Sequence, residues 1–197
     1  MASRGFFRTT RAFFSGGPGQ DALRVLSWVP VGLFFTQHVY SLVEVTGSSM
    51  QPTLNPNFHT ALMRKEIVLL ERWSVTLNLN GHKPFRRGDV VTLWSPLDPN
   101  TLTTKRIVAL AGDIVTPLPP SPPTPVRIPP GHCWVEGDSR HRTLDSNTYG
   151  PVSMGLVNAR VAWILLPFSR WGPVENGPGK AEGRVEVNER SRLIDAS

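Results

Sequence analysis

Two side chains in this sequence could together carry out acyl transfer without a cofactor: a serine in a polar turn and a lysine among apolar residues. Ser49 stands in Gly47-Ser48-Ser49-Met50-Gln51-Pro52-Thr53-Leu54. Glycine and serine tolerate unusual backbone angles and Pro52 ends regular structure, so the stretch reads as a turn that presents a hydroxyl. Lys105 stands in Thr104-Lys105-Arg106-Ile107-Val108-Ala109-Leu110-Ala111-Gly112-Asp113. In a strand, the alternation of side chains places Lys105, Ile107 and Ala109 on one face and Arg106, Val108 and Leu110 on the other. An amine on an apolar face loses solvation, which disfavours its charged form and lets a lysine serve as a general base. A serine activated by such a lysine needs neither histidine nor carboxylate. The plainer alternatives are an ordinary turn and a lysine that snorkels to water.

A third stretch is dense in hydrogen-bonding groups: Gly137-Asp138-Ser139-Arg140-His141-Arg142-Thr143-Leu144-Asp145-Ser146-Asn147-Thr148-Tyr149-Gly150-Pro151. It reads as a solvated hairpin tip or as part of a site. Ser49, His141 and Asp145 could be drawn into a Ser-His-Asp triad, but no GxSxG motif accompanies them.

The elements that must position these residues are short strands. Between Gly-Asp and proline breakers, β-rich runs cover 66–70, 89–94, 105–110, 125–128, 133–136 and 159–166, which predicts a mainly β domain with a coiled sheet or barrel. Residues 117–130 hold eight of the 19 prolines and predict a surface excursion that cannot form a regular ladder. From 172 to 197 apolar patterning fades, which predicts a disordered tail.

Ahead of the strands lie two segments of different character. Residues 1–20 carry Arg4, Arg8 and Arg11 with no acidic residue and are rich in serine, threonine and phenylalanine, the composition of a mitochondrial targeting segment. Residues 22–45 open with a stretch, 22–43, in which 14 of 22 residues are apolar; as a helix of about 33 Å it predicts a marginal transmembrane anchor, kinked at Pro30, with Gln37 and His38 toward its far end. Arginines before it and Glu44 after it predict a start on the matrix or cytoplasmic side with the bulk of the chain on the other side.

Composition excludes several classes. At 197 residues the chain holds one domain and an appendage. A single cysteine, Cys133, rules out an internal disulfide framework and a multi-cysteine zinc site. The net charge of +6 includes the three arginines of the first segment, and no basic run with interleaved aromatics calls for nucleic acid.

In their order and spacing, GSSMQPTL, TKRIVALAGD and GDSRHRTLDSN followed by YGPVSMGL resemble the three boxes of the type I signal peptidases, Ser-Lys proteases of membrane surfaces. The likeness covers residues 22–171 and leaves the first segment, the proline-rich insertion and the tail unmatched. It implies a signal-peptidase-like (LexA-type) coiled β-sheet domain over 46–171 behind one N-terminal transmembrane helix. It also implies Ser49 as nucleophile and, through its backbone N–H, as oxyanion donor. Lys105 would be the base, Thr143 the hydroxyl that orients the lysine, Asp145 a buried structural acid, and Gly137 and Asp138 support, with no metal and no cofactor. Leu54, Val91 and Ile107 are candidate pocket walls.

Two departures from the family pattern matter. Gly47 stands where some bacterial members place a serine that donates to the oxyanion, and Asn147 stands where they place an arginine that pairs with the acid. Asn147 and the arginine-rich start are similar to the mitochondrial inner membrane branch of the family. That branch implies precursor proteins with cleavable sorting signals as substrates, a companion protease subunit as partner in a heterodimer, and a catalytic domain facing the intermembrane space. Two alternatives stay open. A LexA-type self-cleaving protein would need a DNA-binding module where the apolar stretch stands. A catalytically silent, membrane-tethered β domain that stabilises a partner would turn over no peptide.

Overall fold

A computed structural model describes residues 18–56, 65–76, 85–140 and 143–188. The chain divides into two units, at Gln37 and His38. The arginine-rich stretch expected to be a targeting segment lies almost wholly outside the described residues, as do His141 and Arg142.

The first unit is a helix, α1 (Pro18–His38). It begins on a proline, whose fixed φ suits a first helical turn, and carries Asp21 there, bonded by Arg24. Val25, Leu26, Trp28, Leu33 and Phe35 are all exposed on it. No helix among the described residues is long and apolar enough to cross a membrane. The anchor expected over 22–45 is therefore corrected: the helix stops at His38, and the next element is a strand. Arg24, Ser27, Thr36, Gln37 and His38 dilute the hydropathy of the helical part, while 40–45 alternates in burial as a strand does.

That strand, β1 (Tyr40–Val45), opens the second unit and pairs with β2 (Glu66–Glu71), which is followed by a single helical turn, α2 (Trp73–Thr76). The chain continues through β3 (Val90–Trp94), β4 (Leu102–Leu110), β5 (Ile114–Val115), β6 (Val126–Arg127) and β7 (His132–Glu136). A second short helix, α3 (Ser146–Tyr149), precedes β8 (Val152–Ser153), β9 (Val157–Leu166), β10 (Gly172–Pro173) and β11 (Val185–Glu186). The large sheet has eight antiparallel strands in the order β1-β2-β9-β3-β4-β7-β8, with β10 beside β9. Register shifts interrupt the β2–β9, β3–β9 and β4–β7 ladders. Such bulges bend strands and add twist, so the sheet curls, as the mainly β reading requires.

The six expected strands all exist, with ends displaced by one to three residues. The largest displacement lengthens β4 to start at Leu102, three residues before Lys105. The alternation expected along β4 fails beyond Ile107, where the register to β7 shifts. Ile107 and Leu110 consequently share one core cluster with Val91 and Val135, while Val108 and Ala109 pack in another with Trp134.

The disorder expected over 172–197 is corrected for 172–188, while 189–197 lie outside the described residues. From Gly172 to Asn188 the chain is ordered by bonds that leave no hydropathy pattern. Val185 and Glu186 pair with β5 in a three-stranded sheet, β11-β5-β6, that includes the end of the proline-rich excursion. The Arg184 guanidinium donates to Glu136 (2.7 Å) and to the Thr116 carbonyl (2.8 Å), and Asn188 N–H donates to Asp113.

Candidate active site

Ser49 is held from both sides. Met50 and Leu54 are buried in the core cluster with Val45, Val68 and Val90, so the turn is pinned by its apolar residues and leaves half-buried Ser49 at the edge. Beneath it, Asn55 is a hub. Its Nδ2 donates to the carbonyls of Val45 (2.8 Å) and Gly47 (3.3 Å), its Oδ1 accepts from Glu66 N–H, and its own N–H donates to Glu66 Oε2. Arg170 bonds Glu66 Oε1 and also the Thr53 carbonyl (2.7 Å). Asn55 is buried with φ at +51°, in the left-handed region that asparagine tolerates better than most residues. No local pattern in the sequence marks Asn55, Glu66 and Arg170 as partners: Glu66 follows Arg64 and Lys65 in a charged run, and Arg170 lies 104 residues beyond it. Asn55→Ala is expected to leave the Val45 carbonyl and Glu66 N–H without partners and to cost about 2 kcal/mol of stability by urea denaturation. A loss below a few tenths of that would show the hub to be dispensable.

Gly47 explains the first departure from the family pattern. Its φ of +98° strains any side chain, so this backbone does not accommodate a serine there.

Lys105 lies on β4 opposite Val91 and is only 4 % exposed. Burial disfavours its ammonium and lowers its pKa from the ordinary value; Asp145 and Asp138 act the other way, and Lys180 acts in the same direction as burial. Leu54, Val91 and Ile107, expected as possible pocket walls, are fully buried in the core.

The third stretch closes on the first at backbone level. Ser139 N–H donates to the Ser49 carbonyl (3.0 Å). A Cβ on Gly137 would lie 2.6 Å from that carbonyl oxygen and 2.9 Å from Thr143 Cγ2, so only glycine fits between the nucleophile turn and Thr143. The Thr143 hydroxyl donates to Asp145 Oδ2, which also accepts from Gly137 N–H (3.2 Å). Asp145 Oδ1 accepts from the backbone N–H and the Nδ2 of Asn147, capping α3. Asn147 is thus itself the partner of Asp145, and its Oδ1 and carbonyl bind Leu118 N–H and the Ser121 hydroxyl of the proline-rich excursion.

Asp138 has a different task. It forms a buried ion pair with Arg106 (2.6 Å) and accepts from the Thr53 hydroxyl (2.6 Å), so one carboxylate ties together the residues that follow the lysine, the nucleophile turn and β7. Arg106 faces a cleft of about 880 Å³ that it shares with Thr53, Asp138, Arg170 and Lys180. Ser49 and Lys105 do not line this cleft, and Arg106 and Lys105, neighbours on one strand, point to opposite faces.

Ser49 and Lys105 are not hydrogen-bonded to one another among the described residues; hydrogen bonds of this kind often form only once substrate is bound. Burial pushes the Cys133 thiol up to about 12, which disfavours the thiolate a nucleophilic cysteine needs.

Comparison with known proteins bears on this arrangement. The family profile for signal peptidase, peptidase S26, matches residues 21–117. The chain is 43% identical over 157 residues to mitochondrial inner membrane protease subunit 2 of Schizosaccharomyces pombe, covering 80% of this chain and 82% of that one. It is 41% identical over 148 residues to subunit 2 of Mus musculus, covering 75% and 79%. To subunit 1 of the mouse protease it is 34% identical over 145 residues, covering 72% and 79%.

Proposed function

Because this chain belongs to the signal peptidase family, peptidase S26, and is a serine protease of that type, we propose that it cleaves sorting signals from precursor proteins with a Ser49–Lys105 dyad. The observation that carries the dyad is a lysine buried to 4 % exposure, with its ammonium disfavoured, on the strand next to the stretch that packs against the Ser49 backbone. In this reading neutral Lys105 Nζ takes the Ser49 hydroxyl proton as Oγ attacks the scissile carbonyl carbon. The Ser49 N–H, which has no partner among the described residues, donates to the developing oxyanion. The lysinium returns its proton to the departing amine, leaving an acyl ester on Ser49. Water then gives a proton to Lys105 and displaces the serine, which recovers it. Thr143, locked on Asp145, offers its remaining lone pair to the lysine.

The relatives' names support activity at the mitochondrial inner membrane, with companion subunit 1 as partner. Attachment runs through α1, whose apolar side chains are exposed, and the β domain faces the intermembrane space.

A lysine base makes a pH prediction. The neutral amine is the working form, so kcat/KM for a sorting-signal peptide is expected to rise with pH and level off below the range of an ordinary lysine. A rate flat from mildly acidic to alkaline pH, with chemistry limiting, counts against the dyad.

A further inference from the structure

The face of β1, β2 and β9 that turns away from the core carries a pocket of about 430 Å³, within the range of about 300–1,000 Å³ usual for small-ligand sites. Cross-strand register builds it. Tyr40 of β1 lies opposite Glu71 of β2, and Glu71 opposite Arg160 of β9. In the neighbouring row Leu42 faces Leu69, Leu69 faces Trp163, and Trp163 faces Pro173 of β10. Residues opposite one another in a ladder share a face, so the two rows form one surface, while Val68 and Leu70 turn the other way into the core. Trp73 of α2 adds a third aromatic ring to the lining. The residue before it is tethered: Arg72 donates its N–H to the Val39 carbonyl (2.9 Å) and its guanidinium to Asn158 (2.8 Å). Trp163 is braced edge-on by Trp171, with centroids 6.2 Å apart. Tyr40, Trp73 and Trp163 are all exposed, whereas Glu71 is buried. Arg160 donates from Nε to Glu71 Oε2 (2.9 Å) and sets Nη2 2.6 Å from the same oxygen, leaving Nη1 without a hydrogen bond among the described residues.

We propose that this pocket holds the phosphocholine headgroup of a membrane lipid, with the quaternary ammonium among the rings of Tyr40, Trp73 and Trp163 beside Glu71 and the phosphate on Arg160 Nη1. Ring faces attract a cation, most strongly when it has shed its water. A primary ammonium would bring three N–H donors that need acceptors, and the carboxylate here is already engaged by Arg160. A trimethylammonium brings no donor and so loses least by entering. The carboxylate and guanidinium match a zwitterion in sign at both of its ends. An anionic headgroup without an ammonium would meet Glu71 and the negative ring faces with nothing to offset them. The apolar row also continues past the pocket: Leu69 and Trp163 line it, and Leu42 and Pro173, both exposed, extend it on either side. That strip suits the glycerol and first acyl carbons of a lipid, which a free headgroup lacks. A lipid bound there holds the β1–β2–β9 face against the bilayer, a contact that goes beyond the proposed peptide chemistry and does not depend on Ser49 or Lys105.

The test titrates the full chain, in a maltoside detergent that carries no choline, with dihexanoylphosphatidylcholine while the choline N-methyl proton resonance is followed. Ring currents from the surrounding aromatics are expected to move that resonance upfield and saturably. Phosphatidylethanolamine and phosphatidylglycerol of the same chain length are then added as competitors, and each should need about ten times the concentration to reverse the shift that unlabelled phosphatidylcholine does. Free phosphocholine should compete too, but more weakly than the lipid. Tyr40→Leu and Trp73→Leu, at exposed positions outside the core, should each weaken phosphatidylcholine binding about tenfold. Tyr40→Phe, which keeps a ring, should bind as the wild type does. A shift that never saturates, or that all three lipids reverse equally, would reduce the pocket to an apolar face that lipids merely coat and would overturn the inference. Tighter binding of phosphatidylglycerol or of free phosphocholine would overturn it as well, as would selectivity that survives in both leucine variants.

Discussion

Ser49→Ala and Lys105→Met are each expected to lower kcat/KM for a sorting-signal peptide by a factor of about 10³ or more, and the double variant to be no worse than either single one. In the proposed mechanism the first removes the attacking oxygen and the second the group that takes its proton, and members of one catalytic unit fail together rather than additively. Stability distinguishes the lysine from an ordinary core residue. In the fold Lys105 binds its proton less tightly than in the unfolded chain, so above its folded pKa the unfolded state holds more protons and stability rises with pH up to the ordinary lysine range. At neutral pH the buried amine thus costs stability, and Lys105→Met should unfold at the same temperature as the wild type or higher. Retained cleavage in either single variant would sink the dyad. A large fall in unfolding temperature for Lys105→Met would show that the lysine serves the fold instead.

Asp138→Ala should be the most damaging structural change, at about 3–5 kcal/mol by urea denaturation. Arg106 and Asp138 have side chains only 4% and 7% exposed, so removing the carboxylate strands a guanidinium out of water. Asp138 also accepts from the Thr53 hydroxyl, and Arg106 reaches the carbonyls of Gly88 and Glu175, so the loss spreads to the turn that bears Ser49 and to the segment after β10. The double variant Arg106→Met, Asp138→Leu should recover part of the stability, because two apolar side chains leave no charge unpaired. It should recover less of the activity, since Thr53 still lacks its anchor. A cost under about 1 kcal/mol for Asp138→Ala would mean that water, not protein, surrounds the pair.

The residues of the proposed site stand out in the sequence because they lie in contiguous words. Ser49, Lys105, Thr143 and Asp145 each sit in a short run whose residue types suggest a task, and the structure brings the first and third runs into backbone contact at Gly137. What holds those words together was not legible. Glu66 and Arg170 are 104 residues apart, Asn55 lies further back still, and nothing local marks the three as partners. Asn147 looked like a lost partner for Asp145 because an arginine's absence is visible in a sequence while an amide's two bonds to the same carboxylate are not. The expected span ran past His38 because a hydropathy window sums apolar residues without asking whether they repeat every 3.6 residues or every two, and the change of period falls inside it. The segment 172–188 reads as a tail because backbone pairing, two glycines and Arg184 hold it, and none of these carries an apolar rhythm.

Cys133 has a use apart from catalysis. It is fully buried on β7, paired with Leu110 of β4 on one side and Val152 of β8 on the other, three residues before Glu136 and four before Gly137. An alkylating reagent can reach the sulfur only when this part of the sheet opens, so its rate of modification clocks that opening in the intact protein. The chain thus carries a single-site stopwatch, set into the sheet beside its catalytic machinery and silent while the two stay closed.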